Sequence, residues 1–456
     1  MGGLFGTLGI ATNALMADQG ALEVTSNNIA NANTPGYTRE RPDLAEQTPI
    51  HLGPLLYGQG VVLQDIQSIR DPVLELRIQQ ETQTQGQIGA FLGGMNQVQS
   101  LFNETQGVGL QGVLSQFFNS FQALSTNPTS VPLRQGVLSA AQNLVNAFHQ
   151  DSSSLTQVKN GLNQTLAQDA SQVNELTSQI AQVDGQISSL QGQGQNPGAL
   201  VDQRTQLVNQ LSNLIGLSVT NNVSGTYTLT TENGSLLVVG NQNFNLQTQL
   251  DGASGTEHIY SQGNDITSSI TKGALGGLIQ ARDQAIPAVQ NSLDSLAAGL
   301  IGTFNTQHAA GFDLAGNAGG NFFTPFAGTA GAAAQISLAI TDPSKIAASA
   351  DGTPGSNGNA LALAAIQSQP IVSGQDVTDY YSNLVNSVGN QISFANNQQQ
   401  AETALVQQLQ NQRASVSGVS IDEEAANLIR YQQAYQASAQ VVSVVNQLIQ
   451  TTINMA

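Results

Sequence analysis

Both ends of this chain carry apolar residues spaced for a single helix face. Near the start, Leu4, Leu8, Leu15, Leu22 and Ile29 fall on four- and seven-residue steps, with Ala11 between them. Near the end, Ile421, Ala425, Leu428, Tyr431, Tyr435, Val442, Val445, Ile449 and Ile453 follow much the same rule. A narrow stripe at this period is the mark of a coiled-coil seam, here interrupted by Asp18 and Thr25. Each fully buried Leu or Val contributes about 1.5–3 kcal/mol, while ordering each residue's backbone costs about 1–2 kcal/mol. A terminal pair with no other cover is therefore marginal, and packing against neighbours tips it. Two such ends must meet each other or the same helices on other copies, which points to an assembly protein.

Between the seams the periodicity changes twice. The first helix is expected from about Leu4 to Ile29, ending in Asn31-Ala32-Asn33-Thr34-Pro35-Gly36-Tyr37, where Pro35 biases Thr34 away from helix and Pro-Gly signals a turn. Residues 38–70 read as irregular or extended chain. Asp71-Pro72 supplies an N-cap and a first-turn proline. Long helices follow to about residue 216, with Leu155, Leu162, Leu166, Val173, Ile180 and Ile187 on one face and a break at 195–198. Alternation at Thr226–Thr230, a two-residue turn at Asn233-Gly234 and a return strand at 236–239 make 217–272 a small β-rich insertion. Helical spacing returns from Leu275 to Ile301, a Gly- and Asn-rich loop is expected at 308–356, and a helix pair at about 376–414.

The expected fold is thus mainly α with a β-rich insertion, a nested, elongated multidomain chain. Residues 1–36 and 418–456 form a terminal-helix domain, 37–216 and 273–417 a long-helix rod with loops, and 217–272 the β insertion. Nesting of this kind brings both ends to one pole.

No catalytic signature is present. The histidines His51, His149, His258 and His308 begin no H-E-x-x-H, and there is no P-loop, nucleophile elbow or dinucleotide fingerprint. Asp313, Asn317 and Asn321 offer oxygen ligands, but one carboxylate is too little charge for calcium, and Gly and Asn suit a loop. Asp422 to Glu424 after Ser420 read as a capping box with acids at the helix N-terminus. Charged residues make up 9% of the chain, and 12 basic residues are scattered among 30 acidic ones for a net charge of −18, so nucleic acid and anionic membrane are poor partners. Cysteine is absent, which removes disulfides and thiolate chemistry. No cofactor and no metal are expected, nor is a cleavable signal peptide or a membrane span.

The run from Ser26 to Tyr37, SNNIANANTPGY, closely resembles the N-terminal motif of bacterial flagellar rod, hook and hook-associated proteins. Within it Asn31, Asn33, Thr34, Pro35, Gly36 and Tyr37 carry the match. The runs Gly418–Tyr435 and Phe304–Asp313 are similar to the hook-associated branch of that family. The resemblance implies a structural junction subunit between hook and filament, exported unfolded through the flagellar channel and needed for filament assembly. It implies that Leu4, Leu8, Leu15, Leu22, Ile29, Leu428, Tyr431, Tyr435, Val442, Val445 and Ile449 lie in an inner tube of like copies. Further implied partners are the hook protein, a second hook-associated junction protein and an export chaperone at the C-terminal helix. A different axial flagellar protein, or a secreted adhesin or enzyme with flagellar export ends, is the competing reading. Larger members carry an outer domain that the short stretch after Phe322-Phe323 lacks.

Overall fold

This computed structural model describes residues 2–52, 55–102, 109–222 and 225–455. Helix α1 (Gly2–Ala30) closes on its own asparagines: the Asn31 N–H donates to Asn27 O at 3.0 Å and the Thr34 N–H to Asn31 O at 2.9 Å. Gly36 then takes φ +81°, a left-handed conformation that costs glycine little, and the chain turns back along α1.

Residues expected as irregular or extended chain form a stepped β ribbon. Strand β1 (Glu40–Glu46) leads to β2 (Ile50–Leu52), β3 (Leu55–Tyr57) and β4 (Val61–Ser68), pairing antiparallel as β2 with β3 and β1 with β4. A register slip between Asp43 and Leu44 hides the alternation from the sequence. The ribbon lies on α1, where the Asn13 amide donates to Gln59 O at 3.0 Å.

Asp71 caps α2 (Pro72–Leu101), its carboxylate accepting from the Val73 and Leu74 N–H groups at 3.0 and 3.1 Å. Helices α3 (Leu110–Thr126) and α4 (Val131–Gly192) follow. The 62 residues of α4 span ~93 Å at 1.5 Å per residue. Its stripe of Leu144, Phe148, Leu155, Leu166, Val173, Ile180 and Ile187 is fully buried along the length of the body. After a turn, α5 (Gly198–Leu214) runs back beside it.

The β insertion holds two small antiparallel sheets. Strands β5 (Leu217–Asn221), β6 (Tyr227–Thr231), β7 (Leu236–Val239) and β8 (Gln242–Asn243) pair in sequence order, and β9 (Leu246–Asp251), β10 (Thr256–Ser261) and β11 (Asn264–Asp265) make the second sheet. The β6–β7 turn uses three residues rather than two. The Thr231 N–H donates to Ser235 O at 2.8 Å and Gly234 sits at φ +84°, the αL position of a three-residue hairpin loop. The sheets are stitched to α4 by polar side chains. Asn174 exchanges two hydrogen bonds with the Leu246 backbone at 2.7 and 2.8 Å. Asp184 accepts from the Tyr227 N–H at 2.8 Å and from Arg204 at 2.7 Å.

Helix α6 (Gly273–Gln280) passes through a π turn at Ala281–Ala285 into α7 (Ile286–Ala309). Within that turn Arg282 is buried and donates to Glu257 O at 2.6 Å and Asn163 Oδ1 at 3.1 Å, tying the second sheet to the body. Helices α6 and α2 meet backbone to backbone: a Cβ at Gly277 would lie 2.0 Å from Gln87 O.

The loop after α7 contains α8 (Ala332–Gln335) and α9 (Gly358–Ala365). Its Asp313 is a loop staple. Burial opposes its ionisation, but donors from Asn317, Lys345 and Ala315 outweigh that and hold its pKa at about 2. A single helix, α10 (Val377–Ser417), replaces the expected pair. The amide run Asn396 to Gln398 is exposed and contains no proline, so it stays helical on the solvent face. Helix α11 (Ile421–Met455) completes the chain.

One hydrophobic core runs from Leu92 to Ala395 through α2 to α10 and the sheets, and a small second core joins Leu74, Ile78 and Leu409. Among the described residues, neither core contains a side chain from α1 or α11.

Candidate assembly interface and the node at its base

Helices α1 and α11 pack against each other along most of their lengths. Apart from Asn28 at its base, the residues of α1 that are most deeply buried are small: Ala17, Ala21, Val24 and Thr25. Small side chains let two helix backbones approach closely. Asp18, an interruption in the seam, hydrogen-bonds Ser438 across the contact, and burial raises its carboxyl pKa. A buried polar pair fixes register more than it adds stability.

The larger seam residues flank this contact line. Leu4, Leu8, Leu15, Leu22 and Ile29 are half-buried, as are Leu428, Tyr431, Val442 and Ile449. Val445 is buried, and Tyr435 is exposed. Further apolar side chains face solvent on both helices, Phe5, Ile10 and Met16 on α1 and Val441, Val444, Leu448 and Ile453 on α11.

At the base of the helix pair, the segment around Asn31 to Tyr37 builds a polar node. Asn31 and Thr34 hold the turn, the Asn31 amide donating to Asn27 Oδ1 at 2.8 Å and the Thr34 hydroxyl to Asn31 Oδ1 at 3.1 Å. Asn33 and Pro35 are exposed at its tip. The Pro35 carbonyl accepts from Gln206 at 2.6 Å and the Gly36 carbonyl from Arg413 at 3.3 Å, so α5 and α10 both grip the turn. Tyr37 donates its hydroxyl to Asn28 Oδ1 at 2.8 Å, and burial raises the phenol pKa.

Asn28, Arg39 and Glu424 form the centre. The Asn28 side chain accepts from the Glu40 N–H at 2.9 Å and donates to Glu40 O at 2.7 Å and Glu424 Oε2 at 3.2 Å. Arg39 reaches Glu424 and Glu423, both at 2.7 Å. Its N–H donates to Ser417 O at 2.8 Å. The Ser420 hydroxyl accepts from the Glu423 N–H at 3.5 Å, but the Glu423 carboxylate is spent on Arg39. The S-x-x-E signal is therefore half a capping box and half an ion-pair site. Below this, Asp202 accepts from the Thr38 N–H and hydroxyl and from Arg70 at 2.6–3.0 Å, and Arg413 pairs with Glu75.

Arg39, Glu40, Asp202 and Arg413 were not among the candidates from sequence, Asn28 entered only within the Ser26–Tyr37 run, and Glu424 only as a capping acid. A signal existed: in a chain with only 12 basic residues, Arg39, Arg70 and Arg413 all point to this node. Replacing Arg39 by alanine leaves the Glu424 carboxylate buried with the Asn28 amide, which costs roughly 2–3 kcal/mol. The expected readout is faster hydrogen exchange at the start of α11, with the body's protection unchanged.

His308 serves packing and loop structure. His308 is fully buried, its Nδ1 donating to Gly320 O at 2.7 Å while Nε2 accepts from the Ala347 N–H at 2.9 Å, and burial lowers its pKa. Among the described residues no group of three His, Asp or Glu side chains is suited to a metal.

Comparison with known proteins places this architecture. Residues 95–323 match the flagellar hook-associated protein FlgK helical domain, residues 8–38 the flagella basal body rod protein family, and residues 410–455 the flagellar basal body rod FlgEFG protein C-terminal family. The chain is 31% identical to flagellar hook-associated protein 1 of Bacillus subtilis over 97% of both chains. It is 28% identical to that of Salmonella typhimurium, over 98% of this chain and 99% of the relative. The flagellar hook junction protein FlgK from Burkholderia pseudomallei has the same fold, with TM-score 0.68 and 20% identity over 75% of this chain and all of that one. On the helical-domain match and the near full-length identity, this chain belongs to the flagellar hook-associated protein 1 family.

Proposed function

We propose that this chain is a structural subunit of the bacterial flagellum, an adaptor outside the cell between hook and filament, and not a catalyst. The observation that carries the reading is the apolar flank of the terminal pair. Phe5, Ile10, Met16, Val444, Leu448 and Ile453 are exposed on helices that, among the described residues, contribute nothing to either core. Exposed apolar surface of this extent marks an interaction site, and like copies packed around an axis would bury it. The low charge density of the surface removes much of the repulsion that close packing would otherwise meet.

On this reading α1 and α11 form the inner wall of a ring of copies, with Leu4, Leu8, Leu15, Leu22, Ile29, Leu428, Tyr431, Tyr435, Val442, Val445 and Ile449 in or beside the contacts. Hook protein lies on one side and a second junction protein on the other. Before export, a chaperone covers the apolar face of α11.

The test is a double substitution on the exposed flank, Val444→Glu with Leu448→Glu. Both side chains are more than 40% exposed in the isolated chain, so the expected monomer melts within about 0.5 kcal/mol of wild type. Cells producing it should shed filament subunits into the medium and swim no better than a strain lacking the gene. Normal motility with this variant would refute the reading.

A further inference from the structure

The terminal helix pair carries very little charge. Helix α1 has two charged side chains, Asp18 and Glu23, and α11 has one beyond its first turn, Arg430. Asp18 is buried, whereas Glu23 and Arg430 are exposed. Of the acids in the first turn of α11, Glu423 and Glu424 are held by Arg39, and Asp422 is exposed beside the node. Among the described residues neither Glu23 nor Arg430 has an oppositely charged partner: Glu23 accepts from the Gln19 amide at 3.1 Å, and Arg430 donates to the Tyr431 hydroxyl at 3.3 Å.

These two charges stand at one level. Helix α1 ends and α11 begins at the node, where Asn28 donates to Glu424, so the helices run antiparallel away from it. Glu23 and Arg430 are then ~7.5 and ~9 Å from the node along the axis, at 1.5 Å per residue. Each charge also ends an apolar stripe. Moving outward, Met16 and Phe5 follow Glu23 after steps of seven and eleven residues, and Val441 and Leu448 follow Arg430 after steps of eleven and seven. Both steps return to nearly the same face of an α-helix. All four apolar side chains are more than 40% exposed, and both stripes are ~27 Å long. Glu23 stands two positions from Ala21 and from Thr25, more than half a turn from either. Its stripe therefore points away from the buried side of α1, and one copy cannot lay its two stripes against each other.

We propose that the stripes are the two halves of a head-to-tail contact between copies of this chain, with Glu23 of one copy paired to Arg430 of the next. This rests on the reading of the terminal helices as the assembly surface. The occupant of each stripe is a second copy because the stripes match in length, in level and in the sign of their charge. A contact between two different patches of one chain is heterologous, and it repeats into a ring or an open helix. Where solvent reaches the pair it adds little affinity, but it sets register. Sliding one copy by a turn would press each charge against apolar side chains without a partner, which is costly.

Charge reversal in the full chain tests this. Glu23→Arg and Arg430→Glu each place like charges across the contact, and each should lower the number of filaments per cell ~tenfold. The monomer's thermal midpoint should stay at the wild-type value, because both positions are exposed. The chain carrying both substitutions restores opposite signs and should return filament number to near wild type. The absence of native cysteine permits a second measurement. Cells producing a Glu23→Cys chain and an Arg430→Cys chain together should yield oxidised dimers in isolated flagella, and cells producing either chain alone should not. Wild-type filament number in either single reversal, no recovery in the double reversal, or no dimer specific to the mixed cells overturns the pairing. Failure of the adaptor reading is distinguishable, because the chain with Val444→Glu and Leu448→Glu would then swim normally.

Discussion

A chain ending at Ser417 should fold, melt with wild-type cooperativity in its helical body, and fail completely to enter the flagellum. The cores explain the first half of this result. The main core is closed by α2 to α10 and the β sheets, and among the described residues no side chain of α11 or α1 enters it. Removing α11 takes away the helix that packs along α1, so α1 should fray, because an isolated helix with so little cover is marginal in water. The second half follows from the apolar flank, which loses Val441, Val444, Leu448 and Ile453 together. Differential scanning calorimetry and a motility assay check the two halves separately. A truncated chain that still supports filament growth would place assembly elsewhere on the molecule.

The largest stability effect should come from the aromatic cluster in the body. Phe304 of α7 meets Phe117, Phe121, Phe322 and Phe323 with ring centroids 5.0–5.6 Å apart. It is fully buried. Alanine there removes the ring that joins α3, α7 and the following loop, and tight surroundings limit collapse into the space. The expected loss is ~3–5 kcal/mol, read as a lower midpoint in urea with an unchanged slope. The exposed Phe394, 65% accessible, is the control, and alanine there should change stability by less than about 0.5 kcal/mol.

What could be read from the sequence follows from how local each signal is. The α4 stripe was visible because every buried residue on it obeys one period, and the Asp71-Pro72 start was visible because capping is decided within four residues. The β insertion was legible from the alternation at Thr226–Thr230 and the turn at Asn233-Gly234. The ribbon at 40–68 was legible only as irregular or extended chain, since its pairing slips register at Asp43. The pair of helices expected at 376–414 is one helix, because Val377–Ser417 contains no proline and no helix-ending turn. In the terminal helices, heptad counting picked the large residues and passed over Ala17 and Ala21, which are buried more deeply. The node was out of reach for another reason: Asn28 and Glu424 are 396 residues apart, and no local pattern announces such a pair.

That separation also orders the events of folding. Closing a loop of several hundred flexible residues costs entropy that grows with the logarithm of its length, so α1 and α11 are poor first partners in an unfolded chain. Once the body has formed, Arg39 and Ser417 are held together by a backbone hydrogen bond of 2.8 Å. The two tails then leave from a shared gate, and the effective loop between them shrinks to a few residues. The helix pair is therefore expected to form last and open first, with faster hydrogen exchange in α1 and α11 than in α4 as the check, so that the chain keeps its adhesive ends apart until the rest of it is built.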